Sequence, residues 1–251
     1  MIGVSSTAFC RRPFAEVMEE ISKAFTHWEV FSEGEHSLGL IYEYLKDSMR
    51  SYDMTYSIHS PISDINIASL NERIREASVM ELILTMDIAQ YLGVRTVTIH
   101  PGITPLAMIG PNEKAVAAAR KSLRTLDRVG ADYGIDVALE NMPNFPFMLG
   151  KTVEELSELL DGTDLGVCFD IGHANTVGDP AEMVKPFLDR LVNVHIHDNR
   201  GETDEHLTIG DGNVDFKKVV GVLSGYRGKW VIESKSMESA LESKPRLESF
   251  F

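Results

Sequence analysis

One alternation constrains this chain more than any other feature. Short runs rich in β-branched and aromatic residues recur eight times, at residues 2–5, 28–31, 55–59, 96–100, 137–140, 166–170, 192–197 and 230–233. Seven of them lead into a stretch with helical character, and after the eighth little chain remains. The clearest helices span 71–92 and 112–133, each followed by a glycine, Gly93 or Gly134, that suits a left-handed C-cap. Thr152 and Glu155 have the spacing of a capping box and predict another helix start. No Pro/Gly/Ser-rich linker, low-complexity tract or long charge run divides the 251 residues. The pattern therefore predicts an α/β fold, a closed parallel (β/α)8 TIM barrel formed as a single domain over residues 1–251.

The ionisable residues fall at telling places on that alternation. His59 ends the third run, His100 the fourth, Glu140 the fifth and Asp170 the sixth, while His195 lies late in the seventh and Glu233 ends the eighth. In a barrel the C-terminal strand ends converge on one mouth. A lone histidine there is ordinarily structural, but six ionisable groups, three of them carboxylates costly to bury unpaired, point to a shared cation. Imidazole with carboxylate suits Zn²⁺, Mn²⁺ or Fe²⁺, and the lack of cysteine among these positions argues against a purely structural zinc site. Gly172 permits a sharp turn that brings His173 back over the mouth. Asp204 and His206 have the two-residue spacing at which an extended loop points side chains the same way. His197 shares a strand face with His195, as either a ligand or a hydrogen-bonded support for one. His27 and His36 have no partners at useful spacing and read as structural.

Composition excludes several classes. A formal charge of −14 opposes broad attraction to nucleic acid. The longest apolar runs fall far short of the roughly 18 residues of a membrane span. The start, MIGVSSTAF, lacks the basic and apolar regions of a signal peptide, so a cytoplasmic location is expected. Two cysteines, Cys10 and Cys168, are too few for a disulfide framework.

The stretches IHSPISDINIAS, LGVRTVTIHPG, VALENMPN, CFDIGHAN, HIHDNRGETDEHLTIGDGNVDF and WVIES, taken jointly, resemble the xylose isomerase-like TIM-barrel superfamily, which includes sugar phosphate isomerases and epimerases as well as the endonuclease IV enzymes. In the sugar isomerases and epimerases, the resemblance implies one divalent metal, zinc or manganese, held by Glu140, Asp170, His195 and Glu233. In the endonuclease IV branch it implies up to three zinc ions, with His59, His100, His173, Asp204 and His206 completing the ligand set. The chain departs from that branch where DNA would be gripped. FSEGEHSLG after the second run places Glu33 and Glu35 where cations should meet phosphates, and Ser60, Pro61 and Ile62 follow His59 where an aromatic is expected. Ile62 retains the character of an apolar wedge.

One divalent ion with Glu140, Asp170 and Glu233 ionised leaves a net charge of about −1, suited to a neutral sugar; three ions with those carboxylates and Asp204 leave about +2, suited to a phosphate. The expected function is a metal-dependent sugar or sugar-phosphate isomerase or epimerase working by proton transfer through an enediolate. Glu140 and Glu233 serve as base and acid, with His173 beside them. His173 and His206 orient substrate hydroxyls, and Arg200 and Lys235 either neutralise a substrate phosphate or remain solvated rim charges. The alternatives are a trinuclear zinc phosphodiesterase acting on abasic DNA and a barrel that binds a ligand without turnover. A small sugar is the expected partner, nucleic acid enters only with the hydrolase, and the oligomeric state stays open. The loop between Pro101 and Glu113 carries no signature of a lid.

Overall fold

The computed structural model describes residues 1–108, 110 and 112–251. All eight runs are strands: β1 (Ile2–Ser5), β2 (His27–Phe31), β3 (Thr55–His59), β4 (Thr96–Ile99), β5 (Asp136–Glu140), β6 (Gly166–Asp170), β7 (Leu191–Ile196) and β8 (Lys229–Ile232). Each pairs in parallel with the next, and β1 pairs with β8, closing the barrel. Three ionisable residues read as strand ends, His100, His197 and Glu233, lie just past β4, β7 and β8, where the chain begins to turn over the mouth.

Around the strands lie α1 (Phe14–Ser22), α2 (Leu38–Ser51), α3 (Glu72–Leu92), α4 (Glu113–Tyr133), α5 (Val153–Leu160), α6 (Ile171–Asn175), α7 (Pro180–Met183), α8 (Phe216–Val222) and α9 (Met237–Glu248). The two longest helices are capped as their sequences demand. Asn71 and Asn112 accept backbone N–H groups at the starts of α3 and α4, and Gly93 and Gly134 end them with φ of 72° and 67°. At α5, Thr152 accepts from the Glu155 N–H at 3.2 Å. The returning arm of the box lands one residue earlier than expected, Glu155 Oε2 taking the Lys151 N–H at 3.0 Å. The chain after β8 corrects the sequence reading, because it forms the 12-residue α9. Ser236 caps it, Ala240 and Leu247 are buried along one side, and Pro245 is accommodated inside it.

Within the strands a two-residue period divides apolar from polar. Trp28 and Val30, Ile58, Val97 and Ile99, Val137 and Leu139, Val167 and Phe169, Val194 and Ile196 belong to the continuous buried core between sheet and helices. Each such side chain contributes about 1.5–3 kcal/mol by leaving water. The alternate positions are just as buried and mostly polar, Glu29, Ser57, His59, Thr98, Glu140, Asp170, Asn193 and His195, with Ala138, Cys168 and Val231 among them. The barrel interior is thus a polar well ringed by an apolar wall. Among the described residues no helix is long and apolar enough to cross a membrane. The 101–113 segment exposes Leu106 and Met108 on a short turn; its positions 109 and 111 lie outside the described residues.

Candidate metal centre

Strand register sets the donors side by side. His195 on β7 is the direct partner of Asp170 on β6, and Glu140 on β5 pairs with Cys168 two residues below Asp170. His195 Nδ1 consequently lies 2.9 Å from Glu140 Oε1, 3.5 Å from Glu233 Oε1 and 4.0 Å from Asp170 Oδ2. Glu233 Oε1 and Asp170 Oδ2 are buried without any hydrogen-bond partner among the described residues. Leaving such an acceptor unsatisfied costs about 1–3 kcal/mol, and more when it is charged. Two orphaned carboxylate oxygens converging with a third carboxylate on one imidazole nitrogen match the donor chemistry of a divalent cation.

The other oxygen of Glu140 faces a second set. Oε2 is 3.2 Å from His59 Nε2 and 3.0 Å from His100 Nε2. His59 Nδ1 lies 2.8 Å from the Ser60 carbonyl, which can only accept, so its Nδ1 carries a proton and its Nε2 is the nitrogen turned to the carboxylate. A third set lies toward the rim, where the donor atoms of His173, His197, Asp204 and His206 lie within 4.8 Å of one another. His173 Nδ1 donates to the Asn141 carbonyl at 2.8 Å, again leaving Nε2 to face a carboxylate, Asp204 Oδ2, at 3.4 Å. Donating the far N–H to a carbonyl or carboxylate is how metal-ligating histidines are held in orientation.

The loop carrying Asp204 and His206 is braced from below by Asp198. Its buried carboxylate accepts the backbone N–H groups of Asn199, Gly210, Gly212 and Val214 at 2.8–3.2 Å. Gly212 must be glycine, since a Cβ there would sit 2.3 Å from Asp198 Oδ1. Two local expectations are corrected. His206 is not extended but has φ of 47°, in the left-handed region, and it still brings Nε2 to 3.1 Å from Asp204 Oδ2. Gly172 does not make a positive-φ turn. It lies inside α6, and its missing Cβ makes room for the His197 ring, whose Cε1 would be 2.0 Å away. That ring stacks on His206 at 3.9 Å and points Nε2 at Asp170 and Asp204, at 3.2 and 3.3 Å.

Sequence reasoning missed Glu29. This carboxylate is wholly buried in the middle of β2, with Oε1 2.6 Å from His195 Nε2 and Oε2 accepting from Ser57 Oγ at 2.8 Å and Asn193 Nδ2 at 2.6 Å. The available signal was a charged residue in the centre of a strand, HWEVF, whose every position is buried. His27 and His36 are structural as read, His27 against Thr55 and Ser57, His36 against the Arg12 carbonyl. Arg200 is largely exposed and ion-paired with Glu205 at 2.6 Å, and Lys235 is exposed just beyond β8.

Electrostatics follow this crowding. Burial alone would raise Glu140, but His195, His100 and His59 hold its carboxyl well below the ordinary range. Burial opposes Asp170 too, yet His173 and His197 bring it to about 2; His195 and other neighbours do the same for Glu29. Burial would lower His195 and His173, and the surrounding acids instead raise both well above the usual imidazole value.

The family model of the xylose isomerase-like TIM barrel matches residues 19–249. The chain belongs to that family. The chain is 38% identical to the uncharacterised protein MJ1311 of Methanocaldococcus jannaschii, over 99% of this chain and 88% of that one. A solved structure of a D-tagatose 3-epimerase-like protein superposes with a TM-score of 0.93 at 37% identity, covering 99% of this chain and 96% of its own. A probable endonuclease 4 of Staphylococcus carnosus is 27% identical over 68% of this chain and 62% of its own.

Proposed function

We propose that this barrel is a divalent-metal-dependent isomerase or epimerase of a small sugar. One observation carries the reading: Glu140, Asp170 and Glu233 converge on His195 Nδ1 with two of their buried oxygens lacking any hydrogen-bond partner among the described residues. Glu140, Asp170, His195 and Glu233 would hold the cation, zinc or manganese, which supplies positive charge to polarise a substrate carbonyl and steady the anion formed beside it. Glu140 and Glu233 approach the same imidazole from different strands, β5 and the end of β8. One would take the proton from the carbon next to the carbonyl, and the other, protonated beforehand, would deliver its own proton to the opposite face or the adjacent carbon. His206, 3.8 Å from Glu233 Oε2 and partly exposed, would orient a hydroxyl. The likeness to the D-tagatose 3-epimerase-like structure over nearly the whole chain supports a ketose substrate.

A second reading, phosphodiester hydrolysis by three ions, is favoured by a different observation. Glu140 Oε2 and Asp204 Oδ2 each face a histidine, His59 and His173, whose far nitrogen already donates to a carbonyl, so the well offers three adjoining donor sets. Against a DNA substrate stands the rim. Glu33 Oε1 accepts the N–H groups of Ile62 and Ser63, placing an acid at the loop that would meet a phosphate backbone. Metal analysis of the purified protein, paired with assays on ketoses and on abasic-site DNA, separates the two. Ketose epimerisation with the first donor set filled is the expected result. Three zinc ions per chain with strand cleavage and no action on ketoses would replace it with the hydrolase.

A further inference from the structure

Glu29 lies a layer below the donors just described, and the proposed reaction gives it no role. A fully buried carboxylate is expensive unless its lone pairs are spent. Those of Glu29 are spent on three protein groups: Ser57 and Asn193 on Oε2, His195 on Oε1. The Ser57 hydroxyl gives its proton to Glu29, and its oxygen is 3.0 Å from His27 Nε2, so His27 supplies the proton on that side. The polarity of this network is therefore fixed from the barrel floor upward. It ends at His195, whose two nitrogens look in opposite directions, Nε2 at Glu29 and Nδ1 at Glu140, Glu233 and Asp170.

We propose that Glu29 is a positioning residue that keeps a proton on His195 Nε2 and thereby presents Nδ1 to the divalent cation held with Glu140, Asp170 and Glu233. Glu29 is not itself a fourth carboxylate ligand. Its oxygens are filled, whereas Asp170 Oδ2 and Glu233 Oε1 have no hydrogen-bond partner among the described residues. An unprotonated Nε2 would set its lone pair against a carboxylate oxygen 2.6 Å away, leaving only Asn193 Nδ2, at 3.2 Å, as a compensating donor. The inference rests on the cation site proposed above, and it makes a separate prediction about which nitrogen binds.

Glu29→Gln discriminates because the two donors on the Oε2 side hold the amide oxygen. The amide NH2 is then turned to His195 Nε2, which must accept, and the imidazole proton moves to Nδ1. In the full chain loaded with Zn²⁺, long-range ¹H–¹⁵N spectra of the wild type are expected to show His195 protonated at Nε2 and shifted at Nδ1 by the metal. Following the same signals through a Zn²⁺ titration, Glu29→Gln is expected to weaken occupancy at His195 by about 10- to 100-fold, as loss of such outer partners does elsewhere. Far-UV circular dichroism should be unchanged. Glu29→Asp, which keeps the charge but retracts it, should recover part of the affinity. Zinc on Nε2 in the wild type, or wild-type affinity in a folded Glu29→Gln, would overturn the role of Glu29 while leaving the cation site intact. A wild type that takes up no Zn²⁺ at His195 would overturn both. The wild-type spectrum decides the matter even if the variant does not fold.

Discussion

Glu140 is the residue on which the well turns. Its two oxygens serve different histidine sets, Oε1 toward His195 and Oε2 toward His59 and His100. Glu140→Gln removes the charge and puts an amide donor on one of those faces. Turnover is expected to fall by about 10²- to 10⁴-fold, the usual contribution of a positioned base, and kcat on the active substrate measures it. Retention of near-wild-type kcat would remove the residue from the chemistry. At this scale the sequence was informative wherever a ligand type stood at a strand end, as with His59, Glu140 and Asp170. Its one signal for Glu29 was ambiguous, because a mid-strand acid looks like a solvated one until the closure of the barrel puts Ser57, Asn193 and His195 around it. It also could not tell which nitrogen a histidine presents, since that is set by carbonyls such as those of Ser60 and Asn141.

Among the elements, the rim loop and α6 hold the third donor set, and both depend on close approach. With Gly172→Ala the new Cβ would collide with the His197 ring, so overpacking is expected to cost about 1–3 kcal/mol in a denaturant titration. His197→Ala in the same chain should recover most of the loss, and failure to do so would mean that the glycine serves another purpose. Asp198→Ala strips four backbone N–H groups of their common acceptor. Hydrogen exchange at Gly210, Gly212 and Val214 should accelerate while the strands stay protected; an unchanged loop would show that Asp198 does not hold it. The strand–helix alternation was legible because period and caps are local properties. The left-handed His206 and the helix α9 were not, the first because its neighbour Leu207 is paired through the backbone with Asp198, outside the segment, the second because its buried side needs a barrel to pack against.

Over the whole molecule, cation uptake is coupled to protons. Burial would lower His173 and His195, but the carboxylates around them raise both well above the ordinary 6.5, so each is expected to release a proton on ligating a cation. A group raised in this way adds to folded stability below its ordinary value, and that contribution is lost as pH rises through the folded value. Metal competes with those protons. Affinity is therefore expected to rise with pH above 6.5, with proton release on binding detectable by calorimetry in buffers of different ionisation enthalpy; pH-independent affinity would show that the histidines are neutral beforehand.

The donor groups are enclosed unevenly. Around the well, His100, Asp204 and His206 retain side-chain exposures of 21%, 17% and 23%, whereas Glu140, Asp170, His195 and Glu233 are at 5% or below. Traffic between solvent and the deeper donors must pass that fringe. A chelator would accordingly withdraw the cation proposed for the deep donors only as fast as the barrel mouth breathes.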